Sequence, residues 1–372
     1  MFISKTLPSP LLRIFQKIRF AFIHILVYLA FLSPLTANVT FTLECRKVAT
    51  IFYIMDNVAL HGKHDSCDSN YRPYWDKQFP SSPKDIDFFV QYAEFRIKSY
   101  PNSIEAKILF PPKTELNEQD PVSSAFYSSS TFEEVWEKLR NFLLPSDISF
   151  LQEFYKHFEL RYSSLPSVDA LFPNALRLEQ EKLTSSDIID YLKKVTTFYG
   201  VDKSIEFTVL HTWFPPIECT SGRALGNYLL LCSHIDRHGD EEQTDIILHE
   251  VIHTISENQP EAQKQTLTKA FLDETDEFDL SKLKNPLIIL EEPLAVALGQ
   301  MLYLDLFDSP KFQDCHEKSN WYHNNWINEY AKIIYPRVKQ AILGGEVLNE
   351  TLVRELARRA PLNTLSKEDD HF

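Results

Sequence analysis

The sequence predicts an α+β fold that is predominantly helical and contains a small sheet. Many stretches place apolar residues three and four apart and open with Ser, Thr, Asp or Asn, which favour the first position of a helix. A few shorter stretches are rich in β-branched residues or alternate apolar with polar residues, as strands do. The 372 residues include 13% aromatic residues and only eight Gly, a composition that can bury a large core.

The first 37 residues have the pattern of an export signal. Residues 1–19 contain four basic residues and no acid, residues 20–32 are apolar, and a small residue, Ala37, ends the segment. This predicts a signal peptide over 1–37 and a secreted or periplasmic protein without stable membrane insertion after cleavage. The apolar run is short for a membrane span, so a protein anchored by an uncleaved N-terminus is the alternative.

The charge of the chain excludes one class of partner. The formal net charge is −14, and removal of the four basic residues of the signal would make it −18. An acidic protein of this kind is not expected to bind nucleic acid.

The predicted export bears on the five cysteines, because it makes disulfide bonds between them expected. Exported proteins commonly form disulfides, and proximity along the chain favours pairing Cys45 with Cys67 and Cys219 with Cys232, which leaves Cys315 free. Four cysteines allow three connectivities, so the other pairings stay open.

Residues 38–130 are predicted to form an N-terminal α+β region. The β-branched residues between 39 and 55, including those of Val48–Ile54, predict one or two strands. Helical spacing predicts a helix over 82–100, and the polar stretches 59–81 and 110–130 are predicted to be connections.

Residues 131–372 are predicted to form a second, helical domain. Strands are expected at 204–211 and 228–232. Helices are expected at 131–144, 147–163, 174–183, 185–199, 240–258, 260–272, 290–306, 321–343 and 349–359.

One pentapeptide in the second domain, His249-Glu-Val-Ile-His253, has the spacing of a metal site. Residues four apart lie on one face of a helix, so His249 and His253 can offer two imidazole nitrogens to one ion. Glu250 lies beside that face, where it can act as a general base on the attacking water. The pattern H-E-x-x-H therefore predicts a zinc-dependent hydrolase.

The motif resembles that of the zincin metallopeptidases. The chain lacks a His at the third position of the extended motif, since Gln259 stands there, and Leu290–Ala297 resembles the ligand segment of the gluzincin, or thermolysin-like, branch. The resemblance implies Glu292 as the third zinc ligand, with Glu291 as the reserve. It also implies a zincin-like core in residues 131–372, with the strand at 228–232 binding the substrate backbone. Val296 stands where that branch has an aspartate that orients a zinc-bound histidine.

The resemblance also implies a donor for the oxyanion that develops on the scissile carbonyl. In related enzymes this donor is a Tyr or His on a downstream segment. The first candidates here are Tyr322 and His323, and the second candidates are His316 and Tyr303. The first hypothesis is thus an exported zinc peptidase acting on peptides or proteins. The alternative is an exported helical binding or host-interaction protein with a structural or inactive zinc site.

Overall fold

The computed structural model of the chain describes residues 38–60, 71–99, 120–215, 221–234, 243–275, 287–318, 321–322 and 324–361. The predicted signal peptide and His323 lie outside these residues. The described part is predominantly helical with one four-stranded sheet, as predicted for the fold class. The division at residue 130 stays a prediction.

The sheet contains strands β1 (Val39–Glu44), β2 (Ile205–Phe214), β3 (Ser221–Leu225) and β4 (Tyr228–His234). Its order is β1-β2-β4-β3, with β1 and β4 parallel to β2 and with β3 antiparallel to β4. A two-residue turn joins β3 to β4, and Gly226 adopts a φ of 59° there, a value that glycine reaches without steric cost.

Alternating residues of the sheet contribute to two hydrophobic cores. On β4, Leu229 and Leu231 pack into one core, and Leu230 and Cys232 pack into the other. Since successive side chains of a strand point to opposite faces, the sheet separates the two cores.

The core on one face of the sheet is completed by N-terminal helices rich in aromatic residues. They are α1 (Lys47–Ala59), α2 (Tyr71–Gln78), α3 (Pro83–Ser99), α4 (Pro121–Tyr127), α5 (Phe132–Leu139), α6 (Pro145–Tyr162) and α7 (Val168–Leu171). The strand predicted over Val48–Ile54 is wrong, because these residues belong to α1. All twelve residues from Val48 to Ala59 are buried, so the helix lacks the polar face that would have revealed a helical period.

The opposite core contains the remaining helices. They are α8 (Pro173–Leu183), α9 (Ser186–Tyr199), α10 (Thr244–Glu257), α11 (Glu261–Glu274), α12 (Ile288–Ala295), a π-helix (Val296–Leu302), α13 (Tyr303–Phe307), α14 (Ser309–Lys318), α15 (Asn325–Leu343) and α16 (Glu350–Ala357). Three boundaries agree with the sequence signals: Ser185 caps α9, Asn349 caps α16, and Gly200 ends α9 with a φ of 67°.

Two groups of buried charges anchor the N-terminal helices. Arg96 is fully buried, with Nε 3.0 Å from Asp56 and Nη1 2.8 Å from Asp120. Because one guanidinium serves both buried carboxylates, removal of Arg96 would take the positive charge of this cluster away from two buried anions.

The second group surrounds Asp85, a fully buried residue at the start of α3. Its carboxylate accepts a hydrogen bond from the Ser82 amide at 2.6 Å and contacts His157 at 2.6 Å and Arg161 at 3.0 Å. Burial acts to raise the pKa of Asp85, but these partners together hold the pKa below its usual range.

The cysteine predictions have different outcomes. Cys45 and Cys315 are free thiols, so the predicted bond between Cys45 and Cys67 is wrong. Cys219 lies outside the described residues, and its pairing with Cys232 stays a prediction.

Among the described residues, no helix combines the length and the apolar character needed to cross a membrane.

Candidate metal centre

Helix α10 brings His249 and His253 together within the protein core. Its apolar residues Ile247, Leu248, Val251, Ile252 and Ile255 are all buried, which fixes the helix between the sheet and α12. The two histidines are each 5% exposed, and their Nε2 atoms are 3.2 Å apart. The spacing of four residues therefore has the predicted result, two imidazole nitrogens facing one point.

Glu292 on α12 completes a triangle of ligand atoms. Its Oε1 lies 3.1 Å from His249 Nε2, and its Oε2 lies 3.2 Å from His253 Nε2. Tetrahedral zinc with bonds of about 2.0–2.1 Å holds its ligand atoms about 3.3 Å apart, so this donor set fits zinc in type and spacing. Among the described residues, this is the one group of three or more His, Cys, Asp and Glu side chains close enough to hold a metal ion.

The two imidazoles also favour the charged form of Glu292. Burial alone would raise the pKa of the carboxyl, but the charges and hydrogen bonds of His253 and His249 hold that pKa well below its usual range. The two histidines thus offset the cost of burying the Glu292 carboxylate.

The reserve ligand, Glu291, points to a different partner. Ser256 Oγ, on the last turn of α10, donates a hydrogen bond of 3.0 Å to Glu291 Oε1. The adjacent glutamates therefore have different partners: Glu292 contacts the two histidines, and Glu291 links α12 to α10 through the Ser256 hydrogen bond. The structure brings Glu292, and not Glu291, into the triangle.

Glu250 lies beside the triangle and is 7% exposed. The Ala224 amide of β3 donates to its carboxyl, while Oε2 has no hydrogen-bond partner among the described residues. Burial raises the pKa of Glu250, and this effect prevails over the opposing influence of the two histidines and the Ala224 amide. A carboxylate with a raised pKa and a free acceptor oxygen is suited to take a proton from water.

Strand β3, at the edge of the sheet, makes room for Glu250. A Cβ at Gly222 would lie 2.8 Å from Glu250 Cγ and 2.9 Å from its Oε1, so a side chain there would displace the carboxyl.

The strand predicted to bind the substrate, residues 228–232, belongs to β4, which is paired on both sides, with β2 and with β3. That prediction is wrong, because an interior strand has no free edge to offer a peptide. β3 pairs with β4 alone among the described strands.

The π-helix after α12 packs directly on the backbone of His249. A Cβ at Gly299 would lie 2.4 Å from His249 Cα and 2.5 Å from its N. Only glycine allows this approach, which sets the distance between α10 and the chain that bears Glu292. Tyr191 donates a hydrogen bond of 2.5 Å to the Leu298 carbonyl within the same π-helix. Single π turns inside α-helices are frequently found at functional sites.

The first turn of α10 is held by residues from three other elements. The Gln243 amide donates to Glu179 Oε1 of α8 at 2.9 Å, and Ser233 of β4 contacts the Gln243 side chain at 3.1 Å. The other oxygen of Glu179 lies 2.7 Å from His211 Nε2 on β2, and both residues are 1% exposed. A carboxylate at a helix N-terminus interacts favourably with the helix dipole, so Glu179 acts as a cap supplied from outside the helix.

Of the predicted oxyanion donors, the structure brings Tyr322 to the site. Its ring is stacked on that of His249, with centroids 5.9 Å apart and planes at 23°. His323 lies outside the described residues. His316 instead stacks on Phe312 of α14, and Tyr303 is buried in the core beside Phe307.

Sequence reasoning missed the two glycines and the edge strand. Gly222 and Gly299 are two of only eight glycines in the chain, and Gly299 stands inside an apolar helical stretch, where glycine costs stability unless packing requires it. That signal could have identified Gly299.

Comparisons with known protein families, with characterised proteins and with solved structures find no match to this chain.

Proposed function

We propose that this chain is an exported zinc-dependent peptidase with a zincin-like core. The observation that supports it most is the triangle of His249 Nε2, His253 Nε2 and Glu292, with edges of 3.1–3.2 Å, beside the buried carboxyl of Glu250. A purely structural metal site has no need of a base next to its ligands, so Glu250 favours an enzyme.

His249, His253 and Glu292 would hold the zinc ion. When bound, zinc supplies Lewis acidity that polarises the scissile carbonyl and acidifies water. Glu250 takes a proton from the attacking water as the new C–O bond forms, and it delivers that proton to the amide nitrogen as the C–N bond breaks. The Tyr322 hydroxyl, or His323, is the candidate donor to the oxyanion.

The substrate class is a peptide or protein in extended conformation. β3 ends the sheet beside Glu250, and an edge strand can pair with an added strand through its backbone groups. We infer that the peptide lies along β3, which brings the scissile carbonyl of the peptide next to the triangle.

The basic and apolar pattern of residues 1–37 supports a secreted or periplasmic location, with anchoring by an uncleaved N-terminus as the alternative.

A cleavage assay with a matched control tests this proposal. Mature protein is incubated with zinc and a broad peptide library, and products are identified by mass spectrometry. We expect cleavage by the wild type and a loss of about 10²–10⁴-fold in rate for Glu250→Gln, since that is the usual worth of a general base. We expect Glu257→Gln, on the last turn of the same helix, to keep the wild-type rate.

Two results would contradict the proposal. Cleavage that survives Glu250→Gln at the wild-type rate would exclude Glu250 as the base. A wild type that holds zinc but cleaves no library member would favour the alternative, an exported binding protein with a structural or inactive zinc site.

A further inference from the structure

We infer that the ring of Tyr322 is a positioning element for His249, taking the place of the hydrogen bond that commonly orients a zinc-bound histidine. This inference rests on the proposed zinc site. It assigns Tyr322 a role that belongs to its aromatic face and is separate from any role of its hydroxyl.

The need for such an element follows from the geometry of the imidazole. Rotation of the ring about its Cβ–Cγ bond moves Nε2 away from Glu292 and His253, so a ligand histidine must have a fixed ring plane. Histidine ligands usually achieve this by donating their second ring N–H to a carboxylate, a carbonyl or water. Here His249 Nδ1 is buried and has no hydrogen-bond partner among the described residues.

The usual source of that hydrogen bond is also absent from the sequence. Val296 occupies the position four residues after Glu292 where the resembled enzymes have an aspartate. It is fully buried in the π-helix and has no polar side-chain atom to offer. Among the described residues, packing is therefore the interaction that orients the His249 ring.

Two aromatic contacts hold the His249 ring. Tyr322 stacks on it at a centroid distance of 5.9 Å and an interplanar angle of 23°, and the His253 ring meets it edge-on at 4.8 Å and 80°. Offset stacked and edge-to-face arrangements are both favourable for rings at such distances. The face of Tyr322 and the edge of His253 together restrict rotation of the imidazole.

The backbone that carries Tyr322 is itself anchored. The amide of the preceding residue, Trp321, donates to Asn328 Oδ1 at 3.0 Å, and Asn328 is buried on α15. The Trp321 ring packs against Phe312 with centroids 5.4 Å apart. An anchored neighbour gives the half-buried Tyr322 ring a defined place from which it can orient His249.

The test separates the aromatic ring from the hydroxyl. Zinc affinity is measured by competition with a chromogenic chelator for the wild type, Tyr322→Phe, Tyr322→Leu and Tyr322→Met, and the absorption spectrum of bound Co²⁺ reports ligand geometry. Tyr228→Leu is the control, since Tyr228 is also half-buried but lies on β4 at the other core. Thermal unfolding without metal identifies any variant that fails to fold, and having both Leu and Met provides a second replacement.

We expect Tyr322→Phe and Tyr228→Leu to retain the wild-type zinc affinity and Co²⁺ spectrum. Tyr322→Leu and Tyr322→Met are expected to bind zinc about 10–100-fold more weakly, the usual effect of losing a residue that orients a ligand, with an altered Co²⁺ spectrum.

Wild-type affinity in Tyr322→Leu and Tyr322→Met would overturn this inference and leave the proposed function intact. Weakened binding in Tyr322→Phe would also overturn it, because the hydroxyl would then be the positioning group. A wild type that binds no zinc would overturn both the inference and the proposed function.

Discussion

The close approach of Gly299 to His249 gives the sharpest structural prediction, the effect of Gly299→Ala. The added methyl group would lie 2.4 Å from His249 Cα, 2.5 Å from its N and 2.8 Å from the Leu248 carbonyl carbon. Carbon atoms in contact need about 3.5 Å, so the π-helix and α10 must separate by about 1 Å. Because the opposing atoms are backbone atoms, no change of rotamer can relieve the contact.

Two opposing terms decide the sign of the effect on stability. Ala is favoured over Gly inside a helix by about 1 kcal/mol. Overpacking of a core costs about 1–3 kcal/mol and reaches the upper end when rigid backbone must move. We therefore expect Gly299→Ala to lower the free energy of unfolding by about 1–2 kcal/mol.

The effect on metal binding should be larger than the effect on stability. Glu292 and Gly299 lie on one continuous helical segment, so a shift of His249 from Gly299 also changes its distance to Glu292. Metal–ligand distances tolerate deviations of about 0.2 Å, less than the expected separation of about 1 Å. We expect zinc affinity to fall on the order of 10–100-fold or more.

Urea unfolding without metal and chelator competition for zinc measure the two effects separately. Gly344→Ala is the matched control, because its nearest backbone contact is 3.0 Å and lies at the end of α15, in the C-terminal part of the chain. If Gly299→Ala retains both wild-type stability and wild-type zinc affinity, the close approach cannot set the geometry of the site.

Three further substitutions test how the fold supports the site, each by equilibrium unfolding. Glu179→Ala removes the acceptor of the buried Gln243 amide and should cost about 1–3 kcal/mol; an unchanged stability would show that the cap is unimportant. Arg96→Met removes the guanidinium that contacts two buried aspartates and should cost about 3–5 kcal/mol, and a cost below about 1 kcal/mol would contradict the importance of these ion pairs. The depressed folded-state pKa of Asp85 adds stability above its unfolded pKa of about 3.9, and that stability is lost as the pH falls. Asp85→Asn should therefore flatten the decline in stability between about pH 5 and pH 3, whereas an equal slope in both proteins would refute the assignment.

Much of the secondary structure could be predicted because its signals are local. Helices are present where 131–144, 147–163, 174–183 and 185–199 were predicted, and α9 ends at Gly200 as expected. The predictions of connections at 59–81 and 110–130 are wrong in part, because α2 and α4 lie there. Val48–Ile54 could not be assigned from pattern alone, because a helix buried on every side lacks a period, and its β-branched residues favour a strand. Burial on all sides is a property of the tertiary structure.

The candidate site divides in the same way. His249, Glu250 and His253 share one helix, so their spacing alone predicted their common face. The contribution of Glu292 and the different direction of Glu291 depend on how α12 meets α10, which spacing does not encode. The edge position of β3 depends on sheet order, since the strand nearest in sequence to α10 pairs on both sides.

Zinc content by elemental analysis tests the central claim most directly. Mature wild type is compared with Glu292→Gln and with Glu291→Gln, whose amide oxygen can still accept the Ser256 hydrogen bond. The proposed site predicts one zinc ion per chain in the wild type and in Glu291→Gln, and its loss in Glu292→Gln. A wild type without stoichiometric zinc, or a Glu292→Gln variant that retains zinc while Glu291→Gln loses it, would contradict the account.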